Sequence, residues 1–539
     1  MTAPAPAPAA FGDLVRSYLD LKWHIDPVEA SFAGLREHDG RLGAYQADDV
    51  KGYVAALKSV GGAIEACHPD ALEDEIDRTA LLGDLRMTVH RFERERPHTR
   101  NPGFWISHVL EGLYVLLAVR DRPAEHRARG ARGRLRDVPR FLQAARETLR
   151  DCPAVLVETA RQVVATARPL VGQVRQELAP PDDASFDAEC EAALEALDDY
   201  ERLLEGGSLT TERSTFAIGE DAFNFRLAFE HALPNTASEL WRYGHDLIAS
   251  VEAELTRVGR EIDDTVPWPD LVARLRGDHP TADALVAAYA DEMERARRFV
   301  EERDLAPIPD GELDVVATPP FLRPLVPFAA YQPPGAFSQD RRGWFYVTPP
   351  DGDCDEVRRI LRDHCVYEIA STALHEGYPG HHLQFLNAQL QPREVRRVIG
   401  TPLTVEGWAL YCEEMMGEEG FYATPEEELF QRLALLWRAV RIVLDVGLHT
   451  RGMSFDDAVQ TLIDRVHFDR SHAESEVRRY CAHPAYQLSY AVGRRELRAL
   501  REGYRNAAGA DYSLKRFHET VLAYGGLPVS LMRWGMGLG

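Results

Sequence analysis

The sequence has no Cys-x-x-Cys pair, no apolar run approaching 18 residues, and little positive charge for its length. Each absence removes a class. Its seven cysteines, at 67, 152, 190, 354, 365, 412 and 481, are odd in number and scattered. Such a set fits buried thiols in a reducing compartment, not a disulfide framework or a thiolate zinc site. Without a long apolar stretch, no helix is expected to span a bilayer. Sixty-two Lys and Arg against 86 Asp and Glu give a net charge of −24, which repels nucleic-acid phosphates and anionic lipid surfaces. Residues 1–10 lack the basic start and apolar stretch of a signal peptide and read as a flexible tail. The expectation is a cytoplasmic protein with neither a nucleic-acid nor a membrane partner. Its oligomeric state stays open.

What is present is mostly helical periodicity. From Phe11 to about Asp310 apolar residues recur at three- and four-residue steps, as in Leu14, Tyr18, Leu19 and Leu21, or Ile76, Ala80, Leu81 and Leu85. Longer patterns cover about 138–178, 186–205, 220–232, 236–262 and 281–303, too unequal to be a repeat array. The sequence therefore predicts a helical N-terminal lobe over 11–310. The arginine-rich stretch 126–140 reads as a solvated loop leading into a helix at Pro139. After Pro309 the period shortens. Segments 312–318 and 343–348 predict two strands of a small sheet, which opens a catalytic lobe over 311–539. The strands are either a structural hairpin or an edge that holds an extended peptide through backbone hydrogen bonds, in which case Phe345 and Tyr346 are the candidate substrate-binding side chains.

A buried helical stripe, including Ile369, Ala370 and Ala373, leads into the densest cluster of imidazole and carboxylate in the chain: His375, Glu376, His381 and His382. Neutral imidazoles beside a carboxylate are what a catalytic zinc needs, and His-Glu on a helix opens a metalloprotease signature. The usual second histidine lies four residues on, where this chain has Pro379. Proline disrupts a helix interior, so Pro379-Gly380 must bend or bulge the chain and carry His381 to the second ligand position. If the helix stayed regular, His382 would instead share a face with His375.

Downstream, Glu406 lies in a largely apolar segment with Trp408, Leu410 and Cys412, where a carboxylate is costly to bury unless it meets a cation. Two imidazoles and this Glu leave zinc a fourth position for water. Glu413, seven residues on, shares its face and can accept a ring N–H from a ligand histidine. Glu414 reads as a solvated helix end. Asp445 and His449 are one turn apart and can pair on one face, either orienting the site or as a structural ion pair. Tyr486 and Tyr490 are candidate donors to a developing oxyanion, and Arg479 can hold a substrate carboxylate. His518 is a further candidate site histidine.

These motifs together, His375-Glu-Gly-Tyr-Pro-Gly-His-His382, Glu406-Gly-Trp-Ala-Leu-Tyr411 and Pro484-Ala-Tyr-Gln-Leu-Ser-Tyr490, resemble the bacterial family called domain of unknown function 885 (DUF885). The likeness extends to Asp26-Pro27, Thr318-Pro319-Pro320 and Asp445-Val-Gly-Leu-His449, and so to essentially the whole chain. That family is similar to the gluzincin metallopeptidases. The resemblance implies a mainly α, two-lobed fold with a deep central cleft and a small sheet beside the zinc-site helix. It also implies one Zn2+ per chain on His375, on His381 or His382, and on Glu406, with Glu376 as general base. Pro379 departs from the plain gluzincin motif. The expected function is a zinc-dependent hydrolase cleaving short peptides or peptide-like amides through metal-activated water. The rivals are a metallohydrolase of a non-peptide amide in specialised metabolism, and a metal- or peptide-binding protein without catalysis.

Overall fold

A stripe of Leu240, Gly244, Ile248, Val251, Leu255 and Val258 buries one side of the helix Ala237–Ile262. Thr236 and Glu239 close a reciprocal capping box at its start, satisfying two otherwise orphaned donors. The stripe lies along the helix Pro425–Thr450. Gly244 permits this approach, since a Cβ there would stand 2.9 Å from Val443 Cγ2. A helix far upstream of the histidine cluster is thereby part of the same core as the downstream helices.

This packing sets the domain organisation. The computed structural model describes residues 10–119, 121–180, 183–320, 322, 323, 326, 328–352 and 354–538, and it is mainly helical. The tail read at residues 1–10 lies outside the described residues except for Ala10. The chain divides into two compact units, Met1–Phe216 with Gly335–Gln339, and Ala217–Pro334 with Asp340–Gly539. The division falls after Phe216, not near 310 as periodicity alone suggested. A change from helix to strand marks a change of local structure, whereas unit membership follows which faces are buried together.

In the first unit, Tyr45, Trp105 and Phe141 interlock edge to face, with Trp105 and Phe141 centroids 4.9 Å apart. The arginine-rich stretch is not a loop. It belongs to one helix, Ala124–Thr148, which continues through Pro139. Buried Leu135, Val138, Phe141 and Leu142 hold the helix there and outweigh the missing proline N–H. Arg134 is fully buried; it donates to Ser31 Oγ at 2.7 Å, to the Arg41 carbonyl at 3.1 Å and to the Gly112 carbonyl. Burial lowers its pKa to about 10.

The second unit contains a three-stranded sheet in the order β1-β3-β2. Strands β1 (Glu312–Ala317) and β3 (Arg342–Val347) pair in parallel, and β2 (Ala329–Gln332) runs antiparallel to β3. The two expected strands are present. The third, only four residues long, was missed because it is too short to show alternation. Phe345 packs with Tyr289, Met293, Val347, Ile369 and Ala373. It is fully buried, and Tyr346 is only 6% exposed. Phe345 offers no open surface, because the apolar faces of two helices cover its side of the strand, whereas Tyr346 points to the other face of β3. Among the described residues, no helix is long and apolar enough to cross a membrane.

Candidate metal centre

The helix Val366–Glu376 is anchored by buried Ile369, Ala370, Ala373 and Leu374 and presents His375 and Glu376 in its last turn. It then stops rather than bending. Gly377 leaves helical geometry at φ −99°, ψ −99°, the Tyr378-Pro379 peptide is cis, and a new helix runs from His381 to Gln389. Gly380 returns its N–H to the Leu374 carbonyl at 3.0 Å. A Cβ at this position would lie 1.9 Å from the His375 carbonyl oxygen, so the turn requires glycine. Trp408 Nε1 pins the turn by donating to the Pro379 carbonyl at 2.9 Å.

After the break, two adjacent histidines at the start of the new helix face different ways. His381 opens the second helix with its ring edge-on to His375, 4.8 Å between centroids. His382 points elsewhere and is fully buried, its Nδ1 2.9 Å from the Tyr331 hydroxyl on β2. Burial lowers the His382 pKa to about 4. The alternative in which His382 joins His375 required an unbroken helix, which this turn rules out.

Glu406 reaches the pair from the helix Pro402–Glu418, capped at its start by Thr401. That helix meets Ser489–Ala508 almost backbone to backbone, because a Cβ on Gly407 would lie 2.5 Å from Gly493 Cα. Glu406 Oε2 stands 3.6 Å from His375 Nε2 and 3.4 Å from His381 Nε2. One ligand atom from each of the three lies within 4.8 Å of the others. Tetrahedral zinc, with bonds near 2.0–2.1 Å, spaces its ligand atoms about 3.3 Å apart, so the donor set fits. His375 Nδ1 meets Glu413 Oε1 at 2.7 Å, and Glu413 is buried. Donation from Nδ1–H to this carboxylate leaves the Nε2 lone pair facing Glu406. Burial pulls the His375 pKa down, but the carboxylates of Glu406 and Glu413 outweigh it and lift the value to about 9. Burial opposes the charge on Glu406, yet His375 and His381 hold its pKa well below the usual range. A cation shared by these groups answers the same attraction as the proton. Glu376, half-buried, makes no hydrogen bond or ion pair with described residues.

The two tyrosines come to the same place. Tyr486 donates its hydroxyl to Glu406 Oε1, while the Tyr490 ring stacks with His375 at 6.2 Å. Burial and the charge of Glu406 raise both phenol pKa values, keeping the hydroxyls protonated. Asp445 accepts the N–H groups of Ala485 at 2.9 Å and Leu488 at 3.2 Å, and His449 Nε2 meets the Tyr480 carbonyl at 3.0 Å. Both residues brace the segment that carries the tyrosines. Arg479 binds Glu476 at 2.7 Å and keeps its side chain 39% exposed.

His518 stands behind the ligands, and the expectation for Glu414 fails. His518 is fully buried behind the Glu406 helix, between the Leu305 carbonyl at 2.7 Å and the Tyr411 hydroxyl at 2.9 Å. It supports Trp408 edge-on instead of joining the ligands. Glu414 is no solvated helix end, since Arg494 grips it with two nitrogens at 2.8 and 2.5 Å.

The family model described as "Bacterial protein of unknown function (DUF885)" matches residues 27–536. The chain belongs to this family. Two solved structures share the DUF885 chain's fold. A "putative lipoprotein of unknown function" from Shewanella oneidensis is 23% identical with a TM-score of 0.81, covering 98% of this chain and 100% of that one. A "putative lipoprotein" from Colwellia psychrerythraea is 18% identical with a TM-score of 0.83, covering 98% and 99%. No curated protein matches the chain.

Sequence reasoning missed His231. Its Nε2 meets the Ala485 carbonyl at 2.9 Å and its Nδ1 meets Thr401 Oγ1 at 2.7 Å. Thr401 also caps the Glu406 helix by accepting the Leu403 N–H, so its hydroxyl proton goes to Nδ1 and His231 donates from Nε2. Ala485 adopts a left-handed φ of 61°, a strained conformation for a non-glycine residue. Asp445 holds its N–H and His231 its carbonyl, aligning Tyr486 with Glu406. A lone histidine 170 residues before its partner gave no local signal.

Proposed function

We propose that this DUF885 protein is a zinc-dependent hydrolase, a gluzincin-type metallopeptidase with one zinc per chain that cleaves short peptides or peptide-like amides. The observation that carries the reading is the convergence of His375 Nε2, His381 Nε2 and Glu406 Oε2, with Glu376 next in the chain to His375 and its charge acting on that ring. When bound there, zinc supplies a Lewis acid that polarises a carbonyl and makes water a better nucleophile at neutral pH. The chain's own groups do the rest. Glu376 takes the proton of the attacking water on its carboxylate and delivers it to the leaving amine. Of the two tyrosines offered for the developing oxyanion, Tyr490 donates its O–H there, while Tyr486 keeps its own on Glu406 Oε1 and holds that carboxylate in place. Glu413 holds the His375 ring in the tautomer and orientation a ligand needs.

The reading keeps a cytoplasmic location, in line with seven free cysteines. The lipoprotein descriptions of the two similar structures make cell fractionation its check.

The test pairs metal content with turnover of a panel of short peptides and small amides. Wild type is expected to hold about one zinc per chain. Glu376→Gln is expected to keep that zinc and lose roughly 10²- to 10⁴-fold in turnover. A wild-type protein that takes up no zinc, or a Glu376→Gln variant with full activity, would sink the proposal.

A further inference from the structure

On a chain of charge −24, the surroundings of Tyr490 are unusually basic. Arg441 Cζ lies 4.7 Å from the Tyr490 ring centroid and Arg438 Cζ 5.8 Å from it, and Arg479 also acts on this tyrosine. Glu476 is the carboxylate these arginines share. Its Oε2 takes Arg441 Nη2 at 2.8 Å, Arg479 Nη2 at 2.7 Å and the Tyr480 hydroxyl at 2.7 Å. Arg441 is buried and also donates to the Tyr480 hydroxyl at 3.0 Å, which accounts for its charge.

Arg438 has no such account. Among the described residues it forms no ion pair, its Nε is buried without a hydrogen-bond partner, and its sole hydrogen bond is a long one, 3.4 Å, to the Ala434 carbonyl. Glu368 feels its charge but lies against Arg276 at 3.9 Å. Arg438 is half-buried and stacked on Trp437 at 4.4 Å, so the guanidinium is held in place by apolar contact while its charge is left over. A planar guanidinium matches a carboxylate with two parallel N–H bonds. The same ring borders the candidate metal centre, since Tyr490 stacks with His375 at 6.2 Å and an interplanar angle of 20°. A group bound by Arg438 therefore sits one tyrosine ring from the triad. At about 3.3–3.6 Å per extended residue, that separation accommodates one or two residues beyond a scissile amide.

We propose that Arg438, flanked by Arg479, binds a free carboxylate of the substrate, the C-terminus of a short peptide or the acid of an N-acyl amino acid. The site is then exo-acting, releasing a terminal residue or dipeptide. The inference rests on the hydrolase reading for its chemistry but not for its binding, which makes the two separable.

The probes are N-acetylglycyl-phenylalanine and its C-terminal amide; because the acid's carboxylate can itself ligate zinc, the comparison on metal-free protein decides. Their binding is measured by calorimetry on metal-free and zinc-loaded protein. The acid is expected to bind about tenfold or more tightly than the amide, the difference a charge-assisted hydrogen-bond pair makes. Arg438→Gln should abolish that preference without weakening the amide, and Arg438→Lys should retain part of it. Equal or absent binding of the two probes in wild type overturns the proposal. So does a preference that survives Arg438→Gln, or displacement by inorganic phosphate at the acid's own affinity, which would mark a general anion site. Zinc content of the same samples reads the hydrolase proposal separately. Protein that takes no zinc yet prefers the acid keeps the subsite and loses the hydrolase, and the converse result does the reverse.

Discussion

Two buried polar regions of the second unit invite comparison: the triad of His375, His381 and Glu406, and the clamp of Asp445, Ala485 and His231. Both put ionisable side chains deep in an apolar core, where an unpaired polar group is expensive. In the clamp, named bonds go to the main chain: Asp445 takes two N–H groups, and His231 meets a carbonyl and a threonine hydroxyl. In the triad, side chains face one another across 3.4–3.6 Å, too far for strong hydrogen bonds and well spaced for a shared cation. Burial alone does not mark a reactive site. What sets the triad apart as a candidate metal site is lone pairs aimed at a common point instead of at the backbone.

Substitutions should separate the two regions. The largest effect is expected from His375→Ala or His381→Ala, each reducing zinc from about one per chain to near zero. His382→Ala should keep its zinc, because that ring serves Tyr331. Metal analysis of the three variants decides, and equal loss in all would erase the distinction. Asp445→Ala should behave oppositely. It leaves the Ala485 and Leu488 N–H groups unsatisfied, at about 1–3 kcal/mol each, so denaturant unfolding should show a loss of roughly 2–6 kcal/mol with zinc retained. A stable Asp445→Ala protein would remove the clamp from this account.

The smallest effect is a pH dependence. His518, which braces the Glu406 helix from behind, is pushed down to about 4 by burial, against about 6.5 in an unfolded chain. Its contribution is therefore fully present above pH 6.5 and is lost as pH falls through 4. Between pH 7 and 5 this group costs about 2 kcal/mol of stability. His518→Gln should flatten the stability–pH curve by that amount, as measured by urea unfolding at the two pH values.

Legibility followed the range of the interactions involved. Glu406 and Glu413 were readable because seven residues on one helix return to the same face, and Glu413 does meet His375. The arginine-rich helix was misread because its composition shows charge but not that Arg134 would find carbonyls and a hydroxyl inside the first unit. Phe345 and Tyr346 looked like strand residues and are, but strand alternation does not reveal which face a helix will cover.

By itself the sequence determined the helical class, the two principal strands and the shared face of Glu406 and Glu413, all of which depend on periodicities of two and 3.6 residues. Tertiary structure decided the choice between His381 and His382, the place of His231 and the surplus charge on Arg438. Each depends on contacts no local pattern encodes: Gly380 against the Leu374 and His375 carbonyls, Tyr331 against His382, and one glutamate shared by two arginines.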